Sequence, residues 1–184
     1  QADIYCTGSD QVWNSTWNEG FNKAFYLSFA PEGAKRIAYA ASIGKSSLED
    51  WEKPLMRDAL KKYSHISVRE VEAAELLDSI GVHGAVPVID PTLMLNRDDW
   101  SVLRDDSVLP TGSYILVYQL NKNHEFDQYV QRFASKVGLP VYRIAYGVHE
   151  KSKGEHTIVC PPVGGFVSLF MNAEYVITDS FHGT

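Results

Sequence analysis

Short apolar runs alternate with amphipathic ones along this chain, and glycine, proline or a polar cluster separates most of them. Residues 2–7, 36–41, 65–68, 114–118, 141–145, 157–160 and 175–178 are too short for helices and predict strands. Residues 86–95 read as a further extended segment, since Pro91 restricts Asp90 to extended geometry. Helical spacing of apolar residues predicts helices up to Tyr63, over 72–80, over 124–137 and over 166–172. For the first of these, Ser46, Ser47 or Asp50 supplies the cap and Pro54 sits in the first turn. Trp51, Leu55, Ala59 and Leu60 would share its apolar face. Gly81 and Gly138 are expected C-caps. Residues 15–31 carry Trp17, Phe21, Phe25, Tyr26 and Phe29. They predict either a loop and short strand covering a sheet edge or a platform on which a sugar stacks.

The order of elements is that of βα units, which implies parallel sheets with right-handed crossovers. The 114–118 run has almost no polar face, as a strand covered on both sides requires. Residues 96–112 are polar, contain Pro110 and Gly112, and read as a linker with one short helix near 98–103. The expected organisation is an α/β chain of two Rossmann-like parallel-sheet domains. Residues 1–95 form the second half of one, and 113–184 the first part of the other. The chain enters on a strand and stops where a helix should begin, so βα units are expected before and after it. Little turnover is expected from these residues alone.

Composition narrows the class. Of 184 residues, 45% are hydrophobic and 22% charged, as in a globular protein with a sizeable core. A formal charge of −6 argues against a general nucleic-acid binder. Cys6 and Cys160 are far apart and fit neither a disulfide framework nor metal-ligand spacing. They read as reduced, buried thiols of a cytoplasmic protein. No run is apolar and long enough to span a bilayer.

Candidate chemistry sits in polar turns just past the carboxyl ends of predicted strands, where open α/β sheets take ligands. One turn is Gly8-Ser9-Asp10-Gln11-Val12-Trp13-Asn14. A second holds Ser42 and Gly44, and a third Arg69. The last is Asp179-Ser180-Phe181-His182-Gly183-Thr184. If the first three belong to one sheet and the last to another, the two sheets could face each other across a ligand cleft. Arg69 lies at a strand–helix junction, where an anion would meet both the guanidinium and free helix N–H groups. It could equally form a surface salt bridge with Glu70 or Glu72. Asp10 could be a turn residue holding its own loop. His65, His83, His124, His149 and His156 have no motif around them and read as structural or solvated.

These turns, within Tyr39-Ala40-Ala41-Ser42-Ile43-Gly44, Ser67-Val68-Arg69-Glu70 and Ile177-Thr178-Asp179-Ser180-Phe181-His182-Gly183-Thr184 and together with Asp90-Pro91-Thr92-Leu93, resemble in order the motifs of the polysaccharide pyruvyl transferase family. The resemblance implies a glycosyltransferase-B-like fold. It also implies transfer of pyruvate from phosphoenolpyruvate, a donor substrate rather than a cofactor, onto two sugar hydroxyls, forming a cyclic ketal and releasing phosphate. Arg69 and His182 are then donor-site, catalytic residues. Gly8, Ser9, Asp10, Gln11, Asn14, Ser42, Gly44, Asp179, Ser180, Gly183 and Thr184 are substrate-binding residues, and no metal is expected. Some members carry Arg two places before the motif histidine, where this chain has Ser180, so either a second cation comes from elsewhere or the donor differs.

The chemistry asks for these residue types. Arginine suits a carboxylate or phosphate. Histidine titrates near neutrality and can protonate the enol carbon. Asp10 or Asp179 could take the hydroxyl proton or orient His182. The expected partners are the donor and a glycan or glycan precursor, met in the cytoplasm or at its face of the membrane. Two other readings of the same architecture are a nucleotide-sugar glycosyltransferase and a non-catalytic glycan-binding module.

Overall fold

The computed structural model describes residues 2–147 and 154–184. His149 lies outside them. The chain divides into two compact units, Gln1–Met94 and Leu95–Thr184. Each contains one four-stranded sheet, and every strand pair in both is parallel.

The first sheet has the order β1-β2-β3-β4, with β1 at Ile4–Thr7, β2 at Lys35–Ala41, β3 at His65–Val68 and β4 at Val86–Pro87. Because the strands are added in one direction, right-handed crossovers put every connection on one face. Helices α1 (Glu52–Leu60) and α2 (Val71–Ser79) lie there. Their Met56, Leu60, Ala73 and Leu77 share a core with Ala38, Ala41, Val68, Trp13 and Tyr26. The other face is open. Ile4, Tyr39 and Val86 are exposed on it and line a groove of ≈ 870 Å³.

Strand β2 is irregular near its end. Ala38 pairs with Ile66 and Ala41 with Val68, so β2 carries one extra residue. Ala40 takes φ 52°, left-handed backbone that a side chain disfavours. Its N–H donates to the Ser67 hydroxyl (3.0 Å), which donates to Ala38 O (3.1 Å). The bulge brings both Ala38 and Ala41 into the same core, although residues three apart in a regular strand face opposite ways.

The second sheet has the order β7-β6-β5-β8, with β5 at Ile115–Tyr118, β6 at Val141–Ala145, β7 at His156–Val159 and β8 at Tyr175–Thr178. The direction reverses, so its helices fall on opposite faces. Phe126, Val130, Phe133 and Val137 of α4 (His124–Val137) pack on Ile115 and Val117. Phe166, Leu169 and Phe170 of α5 (Val163–Asn172) pack on Leu116, Tyr114 and Tyr118. This double cover buries Ile115, Leu116 and Val117 completely.

Several expectations change. Residues 15–31 form turns with no strand. Trp13, Phe21 and Tyr26 stack as a lid on the core, whereas Trp17 and Phe29 are exposed. Helix α1 buries Glu52, Met56 and Leu60 and leaves Trp51 and Leu55 half-exposed. Glu52 can be buried because Lys45 pairs with it and the Glu49 N–H donates to it. No side chain caps α1. The 96–112 segment is built into the second unit. It contains α3 (Arg97–Ser101), capped by Asn96, and its Asp105 N–H donates to Gly164 O and to the Ser168 hydroxyl of α5. Cys6 and Cys160 are free thiols but exposed, Cys6 because it lies on the open face of the first sheet. His65, His83, His124 and His156 are exposed, the last stacked on Tyr142.

Candidate functional site

At the carboxyl edge of the first sheet, loops from all four strands meet. The loop after β1 is tied to β2 by the Ser42 N–H to Asp10 O (2.9 Å) and the Trp13 N–H to Ser42 O (3.1 Å). The Arg69 N–H donates to Ala41 O (3.0 Å), and the Val88 N–H to Val68 O (2.8 Å). On this backbone frame sits a side-chain network. Arg69 donates from Nη1 to Asp90 Oδ2 (2.9 Å) and from Nε to Glu70 Oε1 (3.3 Å). Ser42 Oγ donates to the same Glu70 oxygen at 2.5 Å, and Ser9 Oγ to Asp90 Oδ2 at 2.7 Å. Glu70 Oε2 is buried and has no hydrogen-bond partner among the described residues.

The Arg69 side chain is only 6% exposed, and its pair with Asp90 is buried on both sides, whereas Glu70 is partly exposed. Besides Glu70, Arg69 pairs with Asp90. Burial alone would push the Asp90 carboxyl up. Hydrogen bonds from the Thr92 backbone and hydroxyl, from Ser9 and from Arg69 outweigh it and hold the group far below the usual carboxylate range.

The remaining first-unit candidates divide by exposure. Gly8 and Asp10 are exposed. Asp10 has φ 106°, and its Oδ1 accepts the N–H of Gln11 (2.7 Å), so it does hold its own turn. Asn14 is buried and fully engaged. Its amide donates to Gln11 Oε1 and Gly44 O, while its oxygen accepts from the Thr16 and Trp17 N–H groups. With all four positions used inside the protein, Asn14 shapes the loop. Gly44 has φ +61°, and an added Cβ would collide with the Gln11 side chain. Ser42 is fully buried, and its hydroxyl donates to Glu70.

The second unit has its own polar edge. Asp179 accepts from the Leu120 N–H (2.6 Å), the Asn121 N–H (2.9 Å) and the Asn121 amide (3.2 Å), which joins the loops after β5 and β8. Burial raises its pKa, but these bonds prevail and lower it. Ser180 is buried. Its carbonyl accepts from the Gly183 N–H and the Thr184 hydroxyl, closing a tight turn over Phe181–Gly183. A Cβ on Gly183 would stand 2.6 Å from Thr178 Oγ1 and 2.9 Å from Tyr118 Cδ1, so only glycine fits. His182 is exposed on this turn, with its ring edge-on to Phe181.

Asp90, Thr92 and Glu70 were missing from the candidate residues, although all stand in the motifs. Asp-Pro-Thr was a readable signal, because an aspartate before proline commonly accepts the N–H two residues on. Here the Thr92 N–H donates to Asp90 Oδ1 at 2.9 Å, and Pro91–Met94 curls into a 3-10 turn. Among the described residues no group of three His, Cys, Asp or Glu side chains could hold a metal ion. No helix among them is long and apolar enough to cross a membrane.

Two Rossmann-like parallel-sheet units with polar loops at their carboxyl edges define the chain as an α/β protein of the parallel-sheet class. The family model for polysaccharide pyruvyl transferase matches residues 1–184, so the chain belongs to that family and is a transferase. Neither the curated proteins nor the solved structures gave a match.

Proposed function

We propose that the enzyme moves a pyruvyl group from phosphoenolpyruvate onto two hydroxyls of one sugar in a polysaccharide or its precursor, closing a cyclic ketal and releasing phosphate. Family membership supplies the class of reaction. The observation that carries the reading further is the meeting of four strand-end loops around the Arg69 guanidinium, where a parallel sheet takes anionic and polyhydroxyl ligands.

In this mechanism His182 gives a proton to the donor's methylene carbon, which becomes a methyl group. Positive charge develops on the neighbouring carbon and is shared with its oxygen. The first sugar hydroxyl bonds to that carbon and its proton resets His182. The second hydroxyl bonds as the carbon–oxygen bond to phosphate breaks; phosphate leaves with the electron pair, and the last proton goes to solvent. Arg69 binds a donor oxyanion. Glu70 and Asp90 already balance its charge, so a second cation is needed. The setting we propose is the cytoplasm or its face of the membrane.

The test is phosphate release by the full-length protein with phosphoenolpyruvate and a panel of acceptor sugars, beside calorimetric titration with the donor and with nucleotide sugars. Donor-dependent release is expected. Tight binding of a nucleotide sugar without donor binding would overturn the reading.

A further inference from the structure

Asp90 is the most deeply placed charge of the first sheet's polar edge, with its side chain 1% exposed. Oδ2 takes the Ser9 hydroxyl and Arg69 Nη1; Oδ1 takes the Thr92 N–H (2.9 Å) and hydroxyl (2.7 Å). These donors come from the loop after β1, the end of β3 and the turn after β4. One carboxylate therefore sets the relative placement of three loops.

We infer that Asp90 is a positioning residue for the transfer reaction: its buried carboxylate holds Arg69 and the Ser9 loop in one arrangement before the anionic donor arrives. The inference rests on the proposed function. Arginine has much rotamer freedom to lose on gripping an oxyanion, and a side chain already fixed loses less. The carboxylate also has an opposite effect, since its negative charge disfavours a negatively charged donor. The geometry favours positioning as the larger effect, because donors from three loops hold the carboxylate and turn its charge inward.

The two effects have opposite signs in one experiment. Asp90→Asn keeps the shape and removes the charge. If Asp90 positions Arg69, the donor KM and the calorimetric donor Kd rise about tenfold, while kcat and the acceptor KM change less than about twofold. In an Arg69→Ala background the same substitution adds less than about twofold to the donor Kd. A purely structural role would reduce the amount of folded protein and leave the donor KM of the remainder unchanged. Tighter donor binding, an unchanged donor KM, or a full tenfold effect without Arg69 overturns the inference. Should Asp90→Asn fail to fold by circular dichroism, Thr92→Val replaces it, with about a threefold rise in donor KM expected and no rise counting against Asp90. If the unaltered protein neither binds phosphoenolpyruvate nor releases phosphate from it, the proposed function fails and takes this inference with it. Failure confined to the variants concerns Asp90 alone.

Discussion

The two sheets have the same number of strands and the same parallel pairing, yet they solve different problems. The second reverses its strand order, carries a helix layer on each face and buries the middle of β5 completely. The first adds strands in one direction, is covered on one face and leaves Ile4, Tyr39 and Val86 in solvent on the other. Their polar edges differ too. In the first, charged and hydroxyl side chains from four loops interlock around Arg69. In the second, one carboxylate grips backbone N–H groups and a glycine lets the chain pass close to Tyr118. Parallel order alone thus fixes neither how a sheet is covered nor how its edge is held.

The sharpest contrast is between His182 and Arg69. His182→Ala should cost about 10²–10⁴-fold in phosphate release, as loss of a general acid does. It should leave thermal unfolding nearly unchanged, because His182 lies on an exposed turn. Arg69→Ala should lower activity and also destabilise the protein by about 3–5 kcal/mol, because it strands the Asp90 charge in the interior. Denaturant titration of both variants checks this; equal stability would mean the Arg69 pair holds nothing together.

The next test compares the sheets themselves. Leu116→Ala, in the doubly covered strand, should cost about 2–5 kcal/mol. Ile37→Ala, beside the open groove, should cost under about 1 kcal/mol, since its side chain is already partly in water.

A smaller effect follows from pH. The Asp90 pKa is lower in the folded protein than in the unfolded chain. Its contribution to stability is therefore present above the ordinary carboxylate value of about 3.9 and fades as pH falls through the folded value. The melting temperature of Asp90→Asn should lie below that of the unaltered protein at pH 7, and the gap should narrow on acidification below about pH 4. A gap that widens there would reverse the assignment.

Much of the second sheet was legible because its signals are local. The apolar run of β5, the spacing of α4 and the glycine after it stand within a few residues of one another, and the structure keeps α4 at His124–Val137 with Gly138 in left-handed backbone. The first unit was less legible where distant residues decide. The buried face of α1 includes Glu52, which hydrophobic spacing cannot count and which Lys45 and the Glu49 N–H make tolerable. Cys6 reads as a core thiol until strand order shows that its face has no cover. The turns at Ser9, Ser42 and Arg69 were visible. The residue that joins two of them was not, because Asp90 lies 81 positions from Ser9 and 21 from Arg69.

The odd residue in β2 has a consequence for how this edge could be lost. Side chains along a strand count in twos, so a single insertion swaps the neighbours seen by everything after it. Deleting Ala40 would restore an ideal ribbon and rotate the Ser42 hydroxyl away from Glu70, silencing the edge without altering any of its ionisable groups. The acidic and basic cluster thus depends on one small aliphatic residue holding a backbone twist ordinarily left to glycine.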